Sequence, residues 1–257
     1  MDNNYFNLQG KVALVTGASS GLGWHFAHVL AAAGCVVIGA ARRKHKLNEL
    51  LDSITELGGK AIALPLDIKA QHNIDAALTP CFEQVGVPDI LVNNAGIAAA
   101  SRFLDAADTD TQSVWDTNQS GVWRLSQCVC KRMIEDKKPG SVINIASILG
   151  LDVMQGVASY AVSKAAVVQL TKVMALELAR YGIRVNAVAP GYVDTDMNHE
   201  FLNSSAGEKL IKRVPLRRPG DLDDLSGLLL LLASARSAYM TGAIIPVDGG
   251  HLVSGLA

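Results

Sequence analysis

The chain has 257 residues, 49% of them hydrophobic and 18% charged, with a formal net charge of −1. That length suits one α/β domain with a large core, and the near-neutral charge excludes the broad basic field of a nucleic-acid binder. No basic stretch leads into an N-terminal apolar segment, and the longest unbroken apolar run, residues 227–233, is far below the ~20 residues of a membrane span.

Lys11-Val12-Ala13-Leu14-Val15-Thr16 reads as a short buried strand. It breaks into Gly17-Ala18-Ser19-Ser20-Gly21-Leu22-Gly23 and then an Ala/Leu-rich stretch over 24–33. Strand, glycine-rich turn and helix form a dinucleotide-binding unit. The glycines let backbone approach a pyrophosphate, and the helix start offers free N–H groups and a positive dipole end.

Further apolar runs alternate with helical stretches. Strands are expected at 11–16, 35–41, 60–66, 89–93, 141–146, 183–189 and 243–247, and helices at 21–33, 43–57, 70–85, 110–136, 158–180 and 221–234. No linker or repeat divides them. The pattern predicts one domain from 1 to 257, an α/β doubly wound Rossmann fold. Its seven parallel strands carry helices on both faces, and ligands bind at their carboxyl ends. Residues 194–219 break the alternation with Asp, Asn, Ser and Gly beside Pro215 and Pro219, which suits a mobile lid. The four cysteines (35, 81, 128 and 130) form no Cys-x-x-Cys pair, so no metal site is expected and reduced cytoplasmic thiols are.

On the helix at 158–180, Tyr160 and Lys164 stand four residues apart, on one face and one turn from each other. A lysine ammonium roughly 4 Å from a phenol, at an effective dielectric near 20, is worth ~4 kcal/mol, about three pKa units. That would bring Tyr160 toward neutrality, where it can donate or accept a proton. Ser147 lies thirteen residues upstream.

Four motifs occur in one order: Thr16-Gly17-x-x-x-Gly21-x-Gly23, Asn93-Asn94-Ala95-Gly96, Ser147 with Tyr160-x-x-x-Lys164, and Pro190-Gly191-Tyr192-Val193-x-Thr195. By these motifs the chain resembles the short-chain dehydrogenase/reductase family from about residue 8 to residue 250. Within that family it looks most like bacterial 3-oxoacyl-(acyl-carrier-protein) reductases and related carbonyl reductases. The resemblance implies hydride transfer between nicotinamide and a carbonyl or carbinol carbon. Tyr160 would be the proton donor, Ser147 would hydrogen-bond the reacting oxygen, and Lys164 would lower the Tyr160 pKa and bind the nicotinamide ribose. Asn118 matches the fourth catalytic position, where it would hold a water linking Lys164 to solvent. The serines at 159 and 163 read as helix-surface or cofactor-side hydroxyls, and His25 as a solvated or helix-packing residue. The long helices at 110–136 and 158–180 would carry the contacts of a homotetramer.

The same resemblance implies that Asp67 and Ile68 flank the adenine, and that Asn94, Ala95 and Gly96 line the ribose and pyrophosphate side. Pro190, Gly191, Val193 and Thr195 would meet the carboxamide, with Ser19 and Leu22 in the cofactor-binding turn. Asn93 itself is expected to tie neighbouring strands together. Where NAD-specific sites of this topology carry an acid for the ribose 2′-hydroxyl, this chain has Ala41, followed by Arg42 and Arg43. An arginine fork can clamp the 2′-phosphate that an acid would repel, and Ser20 is placed to help. The cofactor expected is NADP(H).

The substrate is expected between 97–102, 149–157, Tyr192 and the lid over 196–213, against Ile97, Leu149, Leu151, Val153, Met154, Phe201 and Leu202. No arginine stands out for a substrate carboxylate, which favours a neutral ketone or 3-oxoacyl thioester reduced to a secondary alcohol. Alternatives are the 3-oxoacyl-(acyl-carrier-protein) reductase of fatty-acid synthesis and an NADP-binding sensor without turnover.

Overall fold

A computed structural model describes residues 5–70, 74–195 and 198–254. Seven parallel strands form one sheet: β1 (Val12–Thr16), β2 (Val36–Ala41), β3 (Lys60–Pro65), β4 (Ile90–Asn93), β5 (Gly140–Ile145), β6 (Ile183–Pro190) and β7 (Ile244–Val247). Their order is β3-β2-β1-β4-β5-β6-β7, so the winding reverses between β1 and β4. Above that reversal the connections diverge and leave a crevice.

Alternate residues of the central strands face opposite layers. Ala13, Val15 and Val37 pack with Phe26 and Leu30 of α1 (Gly21–Ala32) and Leu47 and Leu50 of α2 (Lys44–Glu56). Leu14 and Ile38 face the other layer, with Leu78 of α3 (Ile74–Val85). β1 is buried on both sides, as a central parallel strand should be. The expected start of α3 at residue 70 takes in 71–73, which lie outside the described residues.

The helix expected over 110–136 is three segments. α4 (Asp108–Trp115) runs into a π-helical turn, Asp116–Gly121, and then α5 (Val122–Glu135). Gly121 fits because a Cβ there would sit 2.8 Å from the Ile68 side chain. The extra residue of the π turn rotates Asn118 into the interior, where it is 0% exposed. α6 (Ala158–Leu178) follows β5 and packs Val167 and Val168 toward the sheet.

Residues expected to be irregular before Pro215 form two short helices, α7 (His199–Leu202) and α8 (Ser205–Ile211). Leu202 and Val214 are buried beneath them. The expected 221–234 helix starts as a 3-10 turn, Leu222–Leu225, before α9 (Ser226–Ala233). Lys138 pairs with Asp89 at 3.1 Å, and Asp89 also accepts the Val12 N–H at 2.9 Å, so that lysine braces the foot of β1.

Candidate active site

The glycine-rich turn sits at the carboxyl end of β1, against the loop after β4. Thr16 joins them: its Oγ1 accepts the N–H groups of Asn94 and Ala95, both at 3.0 Å. The Asn94 side chain donates to the Thr16 carbonyl at 2.9 Å, so that amide closes the wall of the crevice. The approach leaves no space for side chains. A Cβ on Gly17, whose φ is +67°, would lie 2.9 Å from Ala95 Cα, and one on Gly23 would lie 2.3 Å from the Gly17 carbonyl oxygen. Among the described residues no side chain caps α1 and no acid stands in its first turn. The helix start therefore presents N–H groups and positive dipole to the crevice, which fits an anionic pyrophosphate.

The crevice is a cleft of about 460 Å³. Gly17, Ser19, Ser20, Gly21, Leu22, Arg42, Arg43, Asp67, Ile68, Asn94, Ala95, Gly96, Pro190, Gly191, Val193 and Thr195 all line it, with Ser147, Tyr160 and Lys164. Gly23 and Asn118, the other expected site residues, stand behind its wall. Asn93 ties strands as expected, donating to Asn144 Oδ1 and Ser126 Oγ at 2.8 Å each.

At the adenosine end the two arginines differ. Arg43 donates through Nε and Nη2 to Ser19 Oγ at 3.2 and 2.9 Å, and through Nη2 to Ser20 Oγ at 2.8 Å. Arg42 is exposed and makes no such contact among the described residues. Of the two arginines expected to form the clamp, Arg43 is the one fixed to the glycine-rich turn. Its Nη1 group is left with no hydrogen bond among the described residues.

At the nicotinamide end, Ser147 follows β5 in extended backbone and is buried, its Oγ accepting the Leu149 N–H at 3.1 Å. Tyr160, in the first turn of α6, faces the same cleft. Lys164 is buried beneath, its Nζ donating to the Ile145 carbonyl at 2.8 Å and lying 5.6 Å from the Tyr160 ring centre. The expected Coulombic depression of Tyr160 is corrected here. Burial raises the phenol above its ordinary value and only the hydrogen bond with Ser147 pulls it down, while burial lowers Lys164 to about 8. Desolvation outweighs the pair attraction because both groups sit in low dielectric and the ammonium lies against the ring.

The Asn118 side chain is fully engaged within the fold. Its Oδ1 accepts the Ile97 N–H at 2.9 Å, and its Nδ2 donates to the Ile97 carbonyl at 2.8 Å and to Ser163 Oγ at 3.0 Å. Both amide hydrogens are therefore committed to holding the loop after β4 against α6. Ser163, read from sequence as a surface or cofactor-side hydroxyl, is 0% exposed and donates to the Tyr160 carbonyl at 2.7 Å. It connects Asn118 to the turn that carries Tyr160. His25 packs between helices as expected, 2.8 Å from Ser226 Oγ.

Residues 17–251 match the family described as enoyl-(acyl carrier protein) reductase. The chain belongs to the short-chain dehydrogenase/reductase family. It is 37% identical to the 3-oxoacyl-(acyl-carrier-protein) reductase of Thermotoga maritima, over 96% of this chain and 99% of the relative. It is equally 37% identical to the 5-keto-D-gluconate 5-reductase of Escherichia coli, over 98% of this chain and 99% of the relative. A gluconate 5-dehydrogenase from Burkholderia cenocepacia, solved in complex with NADP and tartrate, superposes with a TM-score of 0.94 at 34% identity, covering 98% of this chain and 99% of that one.

A second cavity of about 400 Å³ opens beside Tyr192 in this dehydrogenase/reductase. Leu149, Val153 and Met154 line it as expected from sequence, with Tyr192 donating to Met154 Sδ at 3.0 Å. Ile97 lines the first cleft instead, and Leu151, Phe201 and Leu202 are not part of this cavity's wall. Sequence reasoning missed Lys209, Arg213 and His251, which are. No arginine stands out in the sequence for a substrate carboxylate, yet Arg213 lines this cavity. The available signal was the four-residue spacing of Lys209 and Arg213, which puts them on one side of a helical turn.

Proposed function

We propose that this protein is an NADP(H)-dependent oxidoreductase that reversibly reduces a ketone or 3-oxoacyl carbonyl to a secondary alcohol, with Tyr160 as general acid and base. The observation that carries the reading is that Ser147, Tyr160 and Lys164 meet on one cleft whose other end is the glycine-rich turn and Arg43. Relatives support it, since the Burkholderia enzyme was solved with NADP.

The residues divide the work along the cleft. The N–H groups at the start of α1 would hold the pyrophosphate, Arg43 and Arg42 would hold the 2′-phosphate, and Asp67 and Ile68 would border the adenine. When bound, the nicotinamide supplies or accepts the hydride at the carbonyl carbon. Ser147 donates to the reacting oxygen and holds it beside Tyr160. Tyr160, kept protonated by burial, gives its phenolic proton to that oxygen as negative charge develops, and takes it back in the reverse direction. Lys164 supplies positive charge under the ring, returns a proton to the phenolate, and regains one from solvent through the water expected at Asn118. Asn118 and Ser163 fix the turn of α6 from which Tyr160 projects.

Residues 194–219 serve as the lid, with 196 and 197 outside the described residues. A homotetramer built on α5 and α6 is supported by the exposure of Trp123 (53%), Val162 (55%) and Leu176 (83%) along those helices. Val168 on the same helix is buried in the monomer and takes no part in such a contact. The segment 247–256 would add a second contact, and its residues 255 and 256 lie outside the described residues. Burial pushes the thiols of Cys35, Cys128 and Cys130 up to about 12, which makes them poor nucleophiles.

The reading is tested by following NADPH absorbance with a panel of small ketones and 3-oxoacyl thioesters. Turnover of at least one class supports it, and a preference for carrier-protein thioesters selects the fatty-acid reductase within it. Tight NADPH binding with no turnover on either class would favour a sensor.

A further inference from the structure

The cavity beside Tyr192 adjoins the catalytic cleft through its own wall. Leu149 lines it, and the Leu149 N–H is the group that donates to Ser147 Oγ. Tyr192 follows Gly191 of the first cleft, and burial pushes its phenol up to about 12, with the neighbouring Tyr160 adding to the shift.

Most of this wall is apolar, yet Lys209 and Arg213 both line it. Lys209 belongs to α8, and the backbone bonds Lys212 N–H to Glu208 and Arg213 N–H to Leu210 carry the turn on, so both side chains lie on one side. Neither forms an ion pair among the described residues. Asp152 shares the wall, but its Oδ1 accepts the Val153 N–H at 2.8 Å and it meets neither cation. One net positive charge remains. His251 lines the wall too, its ring 5.6 Å from that of Tyr192 and its Nδ1 buried with no partner among the described residues. Buried polar atoms normally have partners, and an occupant's oxygen or hydroxyl supplies one.

We infer that the substrate is a small ketone bearing a carboxylate, whose anion pairs with Arg213 and Lys209 while its carbonyl lies at Ser147 and Tyr160. This rests on the reductase reading above. A single net positive charge matches a monoanionic carboxylate better than a dianionic phosphate. The cavity's size suits a compact molecule rather than a long acyl chain. An exposed ion pair alone is weak, but the fixed fork of the arginine and a bidentate carboxylate strengthen it.

The test uses 5-oxohexanoate and its methyl ester, which carry the same ketone and differ in charge. The ratio of their kcat/KM values with NADPH is measured for the wild type, Arg213→Gln and the Lys209→Gln/Arg213→Gln double variant. The acid is expected to be favoured at least about tenfold in the wild type, and the ratio to fall close to one in the double variant. A wild-type ratio of one or below, an unchanged ratio, or an equal loss on both probes overturns the inference. Loss confined to 3-oxoacyl carrier-protein thioesters overturns it too, since the cations would then dock an acidic protein. If the wild type reduces no ketone at all, the reductase reading fails separately. Saturation-transfer NMR on the same three proteins then decides the inference, by whether acid binds over ester and loses that advantage in the double variant.

Discussion

Replacing Arg43 with leucine is expected to remove most of the preference for NADPH over NADH. The guanidinium is already fixed by bonds of 2.8–3.2 Å to Ser19 and Ser20, so little side-chain freedom is lost when a phosphate arrives. Its Nη1 group then offers one or two charge-assisted hydrogen bonds, worth roughly 1.5–3 kcal/mol in general. Both arginines are exposed and screened, so the lower figure applies, about tenfold in kcat/KM. Arg43→Leu should lower kcat/KM for NADPH about tenfold and leave NADH nearly unchanged. Arg42→Leu should do less, because that side chain is not held by the turn. Ala41→Asp combined with Arg43→Leu should reverse the preference, since the new carboxylate accepts from the ribose 2′-hydroxyl. The assay is initial rates with both cofactors at fixed ionic strength, repeated at higher salt, where the wild-type preference should shrink. A wild type that uses NADH equally well, or an Arg43→Leu variant that keeps its preference, would refute the clamp.

Lys164→Met should reveal the burial of that ammonium. Lys164 titrates near 8 in the folded chain against 10.5 normally, so between those values the unfolded chain binds the extra proton and wild-type stability rises with pH. Relative to Lys164→Met, the wild type should gain on the order of 3 kcal/mol across pH 8 to 10.5 and nothing below pH 8, read by urea unfolding. A flat difference would contradict the burial. Asn118→Ala strands the Ile97 N–H and carbonyl and the Ser163 hydroxyl, and should cost roughly 2–4 kcal/mol of stability by the same method. A loss under about 1 kcal/mol would mean that water replaces the clasp. Light scattering should give a mass four times the 27.1 kDa chain, and a monomer at micromolar concentration would rule out the proposed helix contact.

Much of the fold was legible because buried parallel strands are short apolar runs: β1 begins one residue from its expected start and β6 ends one residue past its expected end. The site residues were legible as types, since glycines, arginines and a Tyr-x-x-x-Lys pair have spacings the chemistry needs. What they do locally was not. Asp116–Gly121 is Asp-Thr-Asn-Gln-Ser-Gly, rich in poor helix formers, which marks a weak point in the helix but not the extra residue of a π turn. Arg42 and Arg43 both follow the end of β2 and both line the cleft, and only the position of the glycine-rich turn picks out Arg43. The pKa argument for Tyr160 used a distance without the burial that accompanies it. The segment before Pro215 reads as polar loop, yet Leu202 and Val214 find apolar cover and fold it into short helices. Arg213 was hidden for the same reason.

The central claim is that Tyr160 moves the proton, and Tyr160→Phe tests it most directly because the ring is kept and only the hydroxyl is lost. Turnover on the best ketone found should fall at least ~100-fold, with the NADPH dissociation constant, measured by fluorescence titration, unchanged within a factor of about two. A variant that binds NADPH normally and keeps more than about a tenth of wild-type turnover would show that another group donates the proton.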